Sequence, residues 1–279
     1  MTRGSHWKGI LMKTVNVLTK VCLWAFTILI LIFIFLPSFY LLIISFEPSK
    51  LERIPRSFSD FSLKWYIRLF QRERLPEAIK QSVIVGLLTA AIASFLSLLS
   101  GISYRKLRKK SYFLGLLIFP IFVPGIIMAI SLAVFFKLIN IHASMYTVVL
   151  GHVLYALPYA AIVTLVSFSG LKESCIEAAR DLGANGFRAF KDIIFPLTRG
   201  GIFGGALFAF LLSLNEFIRA YFLSGWQETL SMYMFGQMKG GADPSIYALA
   251  GFILLVSIFL VLIALIYFSF IRYSSRSLG

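Results

Sequence analysis

The chain has 279 residues, 59% of them hydrophobic and only 14% charged, with a formal net charge of +15. A soluble domain carries about a quarter charged residues, and apolar surface left in water costs roughly 25 cal/mol per Å², so the composition excludes an ordinary soluble enzyme and calls for lipid as the solvent. The two cysteines and three scattered histidines give no disulfide framework and no metal-ligand spacing.

A membrane helix needs about 20 apolar residues, and six stretches qualify: 21–45, 82–104, 112–136, 145–169, 202–223 and 246–271. The alternating ten-residue pattern of a membrane barrel is absent. The expectation is an all-α membrane protein with six transmembrane helices in one domain spanning 1–279. Arg3, Lys8, Lys13 and Lys20 precede the first span. Its apolar run is longer than a signal-peptide core and no small-residue cleavage site follows, so it reads as a retained anchor.

The loop 46–81 carries a short amphipathic segment in which Trp65, Ile67, Leu69 and Phe70 alternate with charges. Such a segment serves as an interfacial aromatic anchor or as a partner-docking surface. The run Arg105–Lys110, RKLRKK, is the clearest topogenic signal. Positive charge concentrates on the side holding the N-terminus, which places both termini in the cytoplasm. Because the basic residues follow loop sidedness, the charge argues for membrane orientation and against nucleic acid. The loop 46–81 is itself basic and runs against this trend, but long loops count less.

Pro120 and Pro124 fall in the third span and Pro158 in the fourth. Proline removes a backbone bond and kinks a membrane helix, and such breaks often line a cavity. In the fifth span, GGIFGGALF at Gly200–Phe208 permits close helix approach.

The segment 170–200 is charged and punctuated by glycine. Cys175, Ala178, Ala179 and Leu182 repeat at helical spacing as one apolar stripe, and Gly183 stops that helix. Asn185 caps a second helix bearing Phe187, Phe190 and Ile194, which Pro196 closes. A short helix with a small-residue face suits docking into a partner's groove; a helix lying on lipid headgroups is the other reading.

Ionisable residues inside spans flag function. The fifth span supplies SLNEFIRAY, with Ser213, Asn215, Glu216 and Arg219. Either Glu216 and Arg219 pair on the helix surface at i,i+3, or Asn215 and Glu216 face a pathway and receive a polar or cationic solute. In the fourth span His152, Tyr155 and Tyr159 share a face. Their rings can stack on alkylammonium groups, or serve as interfacial anchors beside a packing histidine.

The stretch EAARDLGANGFRAFKDIIFP, 177–196, resembles the EAA motif of binding-protein-dependent ABC importer permeases. Glu177-Ala178-Ala179, Gly183 and Ile193-Ile194-Phe195-Pro196 fall on its spaced pattern, with Phe195 where leucine is usual. The segments 129–141, 157–171 and 210–225 and the tail after Asp243-Pro244 are similar to the spermidine/putrescine permease subfamily. The resemblance implies a type I ABC importer permease fold with a cytoplasmic coupling helix, in which Glu177, Ala178, Ala179, Leu182, Gly183 and Pro196 engage an ATPase. Asn215, Glu216, Tyr155 and Tyr159 remain the candidate pathway residues, and the resemblance implies a bacterial inner-membrane location. Implied partners are a second, related permease, two ATPase subunits carrying ATP and Mg, and an extracytoplasmic solute-binding protein. Relatives that take polyamines often carry two adjacent acids where this chain has Asn215-Glu216, so an amino-acid-like zwitterion stands beside polyamine as solute.

No Gly-Lys dipeptide occurs in the chain, so a phosphate-cradling G-x-x-x-x-G-K-[ST] loop is missing. The expectation is a non-catalytic subunit that binds no cofactor itself. A self-sufficient secondary transporter would show repeated broken helices or inverted repeats, and an intramembrane enzyme would need a nucleophile and base in register with His152.

Overall fold

The computed structural model describes residues 3–48, 61–240 and 244–276, with side chains described for 19–48, 61–240 and 244–266. The loop stretch 49–60, Asp243, the side chains of Arg3, Lys8 and Lys13 and those beyond 266 lie outside the described residues. Among these residues the regular elements are helical. They are α1 (Arg3–Ile44), α2 (Lys64–Phe70), α3 (Arg74–Lys106), α4 (Lys110–Ile118), α5 (Gly125–Leu138), α6 (Met145–Ser169), α7 (Glu173–Asp181), α8 (Gly186–Ala189), α9 (Phe195–Leu214), α10 (Ile218–Leu223), α11 (Leu230–Lys239) and α12 (Ser245–Arg276). Five stretches are long and apolar enough to cross a membrane, and α4 with α5 makes a sixth if that bent pair is one span.

Backbone contacts divide the chain into two compact units, Met1–Leu69 with Asp243–Leu255, and Phe70–Ala242 with Val256–Gly279. In the first unit most of the described face of α1 is exposed hydrocarbon, as for a helix bathed in lipid. Its C-terminal end is fixed by polar contacts: Ser45 Oγ lies 2.7 Å from Tyr66 Oη, and Trp65 Nε1 donates to the Glu47 carbonyl at 2.7 Å. Trp65 and Leu69, one turn apart on α2, are buried, whereas Ile67 and Phe70 are exposed. The amphipathic segment expected in this loop is therefore seated through Trp65 and Leu69, and the tryptophan is no surface anchor.

The second unit is built on α3, α6 and α9, which pack against one another. Ala93, Ala156, Ala160 and Ala209 meet at its centre with no exposed surface. Gly201, Gly205 and Ala209 recur every four residues along α9, the small-residue spacing that lets helices approach in lipid. Thr164 Oγ1 lies 3.3 Å from both Ser97 Oγ and the Gly201 carbonyl oxygen, so its buried hydroxyl has a partner.

One expected span breaks where its prolines fall, and the fifth is corrected. The third is broken: α4 runs into a 3₁₀ turn at Phe119–Phe122, and α5 leaves at 96° to it. Proline explains the break, because the residue before a proline is pushed out of the helical region. Val123 is extended, with ψ 124°, ahead of Pro124. By contrast α6 runs unbroken through the buried Pro158.

The fifth span, expected at 202–223, starts earlier and ends earlier. The apolar stretch is Gly186–Leu214, and α10 is a separate helix. Pro196 does not close the preceding unit. A π turn at Phe190–Ile194 leads into α9, with the Phe195 N–H reaching back to the Phe190 carbonyl. Proline in the first turn of α9 has no N–H to satisfy, so the helical path continues through it. At the other end, Asn215 Nδ2 donates to the Leu211 carbonyl at 2.9 Å. Glu216 Oε1 accepts the Arg219 N–H at 3.0 Å. Side chains thus take over hydrogen bonds at the break.

The end of α10 is tied to the start of α6. Thr147 Oγ1 donates to the Leu223 carbonyl at 2.7 Å, and the Ser144 N–H reaches the same oxygen at 3.2 Å. This clamp fixes Arg219 and Tyr155, one on each helix, relative to one another.

Candidate functional site

The two breaks face each other. A cavity of about 340 Å³ is lined by Pro120–Gly125 of the broken third span, Tyr155 of α6, and Glu216, Ile218 and Arg219 at the broken fifth. That volume is at the small end of the range for small-molecule sites. Glu216 and Arg219 are 8% and 3% exposed. The Arg219 guanidinium lies 3.0 Å from Glu216 Oε1, stacks 4.3 Å above the centre of the Tyr155 ring, and reaches Met128 Sδ at 3.5 Å. The Tyr159 ring meets Tyr155 edge-on at 5.5 Å.

The sequence readings for this region divide accordingly. The i,i+3 pairing of Glu216 with Arg219 forms, but it is buried on a cavity wall and is not a surface pair. Tyr155 and Glu216 come together in one site, with Tyr159 behind Tyr155. Asn215 is exposed and bonded to its own helix, and it is absent from the lining of this cavity. His152 turns away from the cavity: Nδ1 lies 2.8 Å from Ser213 Oγ, and the residue is 1% exposed. The stacking of Arg219 on Tyr155 has no local sequence signal, because it depends on how α10 packs on α6.

The EAA segment forms a second feature. In α7, Ile176 is buried while Cys175, Glu177 and Ala178 are exposed and Ala179 is partly so, and Leu182, just past its end, is exposed. Gly183 has φ +84°, and the Gly183 and Ala184 N–H groups bond back to the Arg180 and Ala179 carbonyls at 2.8 and 2.9 Å. This is the left-handed glycine stop expected from the sequence. Asn185 accepts the Arg188 N–H at 2.9 Å, the expected cap of the second helix. The apolar stripe of this segment therefore points outward, with Leu182 89% exposed and Phe187 71% exposed. An ion pair between Arg105 at the end of α3 and Glu173 holds the base of α7.

Comparisons with known proteins agree with this architecture. Residues 82–279 match the family model described as the binding-protein-dependent transport system inner membrane component. Among curated proteins, the chain is 31% identical over 243 residues to the spermidine/putrescine transport system permease protein PotC of Haemophilus influenzae, covering 86% of this chain and 93% of that one. It is 32% identical over 244 residues to the putrescine transport system permease protein PotI of Escherichia coli, covering 83% and 85%. Among solved structures, a chain of a bacterial ABC transporter involved in import of the acidic polysaccharide alginate superposes with a TM-score of 0.63 at 17% identity, covering 98% of this chain and 99% of that one. The same kind of transporter in complex with an alginate pentasaccharide-bound periplasmic protein gives a TM-score of 0.64 at 18% identity, covering 98% and 97%. At that identity the likeness speaks for the fold. The chain belongs to the family of binding-protein-dependent transport system inner membrane components, multi-pass permeases of ABC importers.

Proposed function

We propose that this chain is the permease subunit of an ATP-driven importer for a polyamine-like cation, supplying half of the pathway and one coupling helix. The observation that carries the solute class is the buried Glu216 carboxylate beside the Tyr155 ring on a cavity within the spanning bundle. A carboxylate and an aromatic face are the two groups that recognise an alkylammonium. The PotC and PotI relatives, named for spermidine and putrescine transport, support the same class.

In this reading α7 seats in a cleft of an ATPase subunit through Ala178, Ala179 and Leu182. Glu177 orients it, and Gly183 and Pro196 set the path of the chain on either side. Two such ATPase subunits hold ATP and Mg, a second and related permease completes the pathway, and an extracytoplasmic solute-binding protein delivers the solute. Both termini lie in the cytoplasm. Asn215, exposed at the break, and Tyr159 line the route on either side of Glu216. A zwitterionic, amino-acid-like solute is the second reading, favoured by the presence of Arg219 in the same cavity, where it can meet a carboxylate.

The test is reconstitution of the complete importer in liposomes, with spermidine, putrescine and zwitterionic amino acids offered in turn. Uptake and ATP hydrolysis stimulated by a polyamine, lost in Glu177→Ala and in Glu216→Ala, are the expected result. Stimulation by a zwitterion alone replaces the solute and keeps the importer. Uptake by this chain with no ATPase present overturns the reading.

A further inference from the structure

The cation site of this permease already contains a cation. Glu216 Oε1 accepts both the guanidinium and the backbone N–H of Arg219, each at 3.0 Å, while the ring of Tyr155 lies against the guanidinium at 4.3 Å. Those are the same carboxylate oxygen and the same aromatic face that an incoming alkylammonium would use. The single negative charge of Glu216 is thus already paired, and the Tyr155 ring face is already covered.

We propose that Arg219 is a built-in competitor for the solute: it occupies the Glu216–Tyr155 site when the pathway is empty, and a cationic solute enters by displacing it. This rests on the reading of the cavity as the solute site. A buried carboxylate without a partner is costly, so an empty site without Arg219 would hold an uncompensated charge. The side chain keeps Glu216 neutralised between transport events. The tether is also light. Arg219 Nε is buried without a protein partner, and the remaining contact, to Met128 Sδ at 3.5 Å, is a weak acceptor. The cavity of about 340 Å³ that Arg219 borders gives the guanidinium space into which to swing. When one cationic group replaces the other on Glu216, the carboxylate stays paired throughout.

The test measures equilibrium binding of putrescine and of ethylguanidinium to the full chain in lipid nanodiscs, with no solute-binding protein present. Wild type is expected to bind both weakly. Arg219→Gln, which frees the carboxylate and the ring, is expected to bind both at least about tenfold more tightly, equivalent to about 1.4 kcal/mol. The double variant Glu216→Gln/Arg219→Gln is expected to lose that gain. Equal binding by wild type and Arg219→Gln, or an undiminished gain in the double variant, overturns the proposal. Should Arg219→Gln fail to fold, Arg219→Lys keeps a charge but loses the flat stacking face, and it must bind ethylguanidinium more tightly than wild type for the proposal to stand. Ethylguanidinium separates this inference from the choice of solute. If liposome uptake shows no polyamine transport, the solute class fails while a gain in ethylguanidinium binding still marks Arg219 as the occupant.

Discussion

Gly205 of α9 lies against the backbone of α6, so that a Cβ on it would stand 2.7 Å from the Ala160 carbonyl oxygen and 2.9 Å from Thr164 Oγ1. The obstacle is main chain within a helix, which cannot yield without moving α6. Gly205→Ala is therefore expected to lower stability by about 1–3 kcal/mol, the usual cost of overpacking, and Gly205→Leu to prevent folding. Gly115 of α4 has open space around its Cβ position. Gly115→Ala should be neutral or raise stability by up to about 1 kcal/mol from the helix propensity alone. Thermal melting in detergent decides it: equal midpoints for the two alanine variants would show that α6 and α9 are not in close contact.

His152 and Ser213 join the same pair of helices by one buried hydrogen bond. His152 Nε2 is buried and has no protein partner, so Ser213 is the residue that satisfies the ring. Ser213→Ala should cost about 1–3 kcal/mol by leaving a buried polar nitrogen without its partner. His152→Phe combined with Ser213→Ala should cost less than the two single changes added together. A double-mutant cycle by melting measures this directly, and simple additivity would show that the two side chains do not interact.

Which of these features could be read from sequence follows local chemistry. The bounds of α6 matched residue for residue because Ser144 and Gly170 punctuate the apolar run. The bend of the third span was announced by Pro120 and Pro124. The stop at Gly183 and the cap at Asn185 were legible because each acts on its own turn. The fifth span was misjudged at its far end because its break contains neither glycine nor proline; it is made by Asn215 and Glu216 side chains capping flanking turns. Its near end was misjudged because a π turn carries the helical path through Pro196. The site was half legible. Glu216 and Tyr155 stood out by residue type, but their meeting across the Pro120–Gly125 break, with Arg219 stacked between them, is a product of helix packing.

Arg105 and Glu173 pair across the end of α3 and the first turn of α7, with the glutamate side chain 60% exposed and the arginine side chain 13% exposed. An ion pair whose carboxylate stands largely in water contributes about 0–1 kcal/mol, so Arg105→Gln should lower the global melting point only slightly. Its effect should be local. Amide hydrogen exchange in residues 173–181 is expected to quicken by several fold while exchange in α6 stays as before. Unchanged exchange in α7 would mean that Ile176 alone holds the helix down.

The seat of α7 and its outward face are distinct. Ile176 is 4% exposed and is the buried side chain of the helix, whereas Glu177 and Ala178 are on its open side. Ile176→Ala should loosen the helix, at a cost of about 2 kcal/mol or more for a buried isoleucine truncated to alanine, visible as lost exchange protection in 173–181. Ala178→Asp adds a charge to an exposed position, so protection and melting should both be retained. In the docking proposed for α7, however, that carboxylate would have to be buried against the ATPase. Burying an unpaired charge is costly, and Ala178→Asp should therefore abolish solute-stimulated ATP hydrolysis and co-purification of the ATPase, without unfolding the permease. A variant that keeps full stimulation would show that the open face of α7 is not the docking surface, whatever its resemblance in sequence.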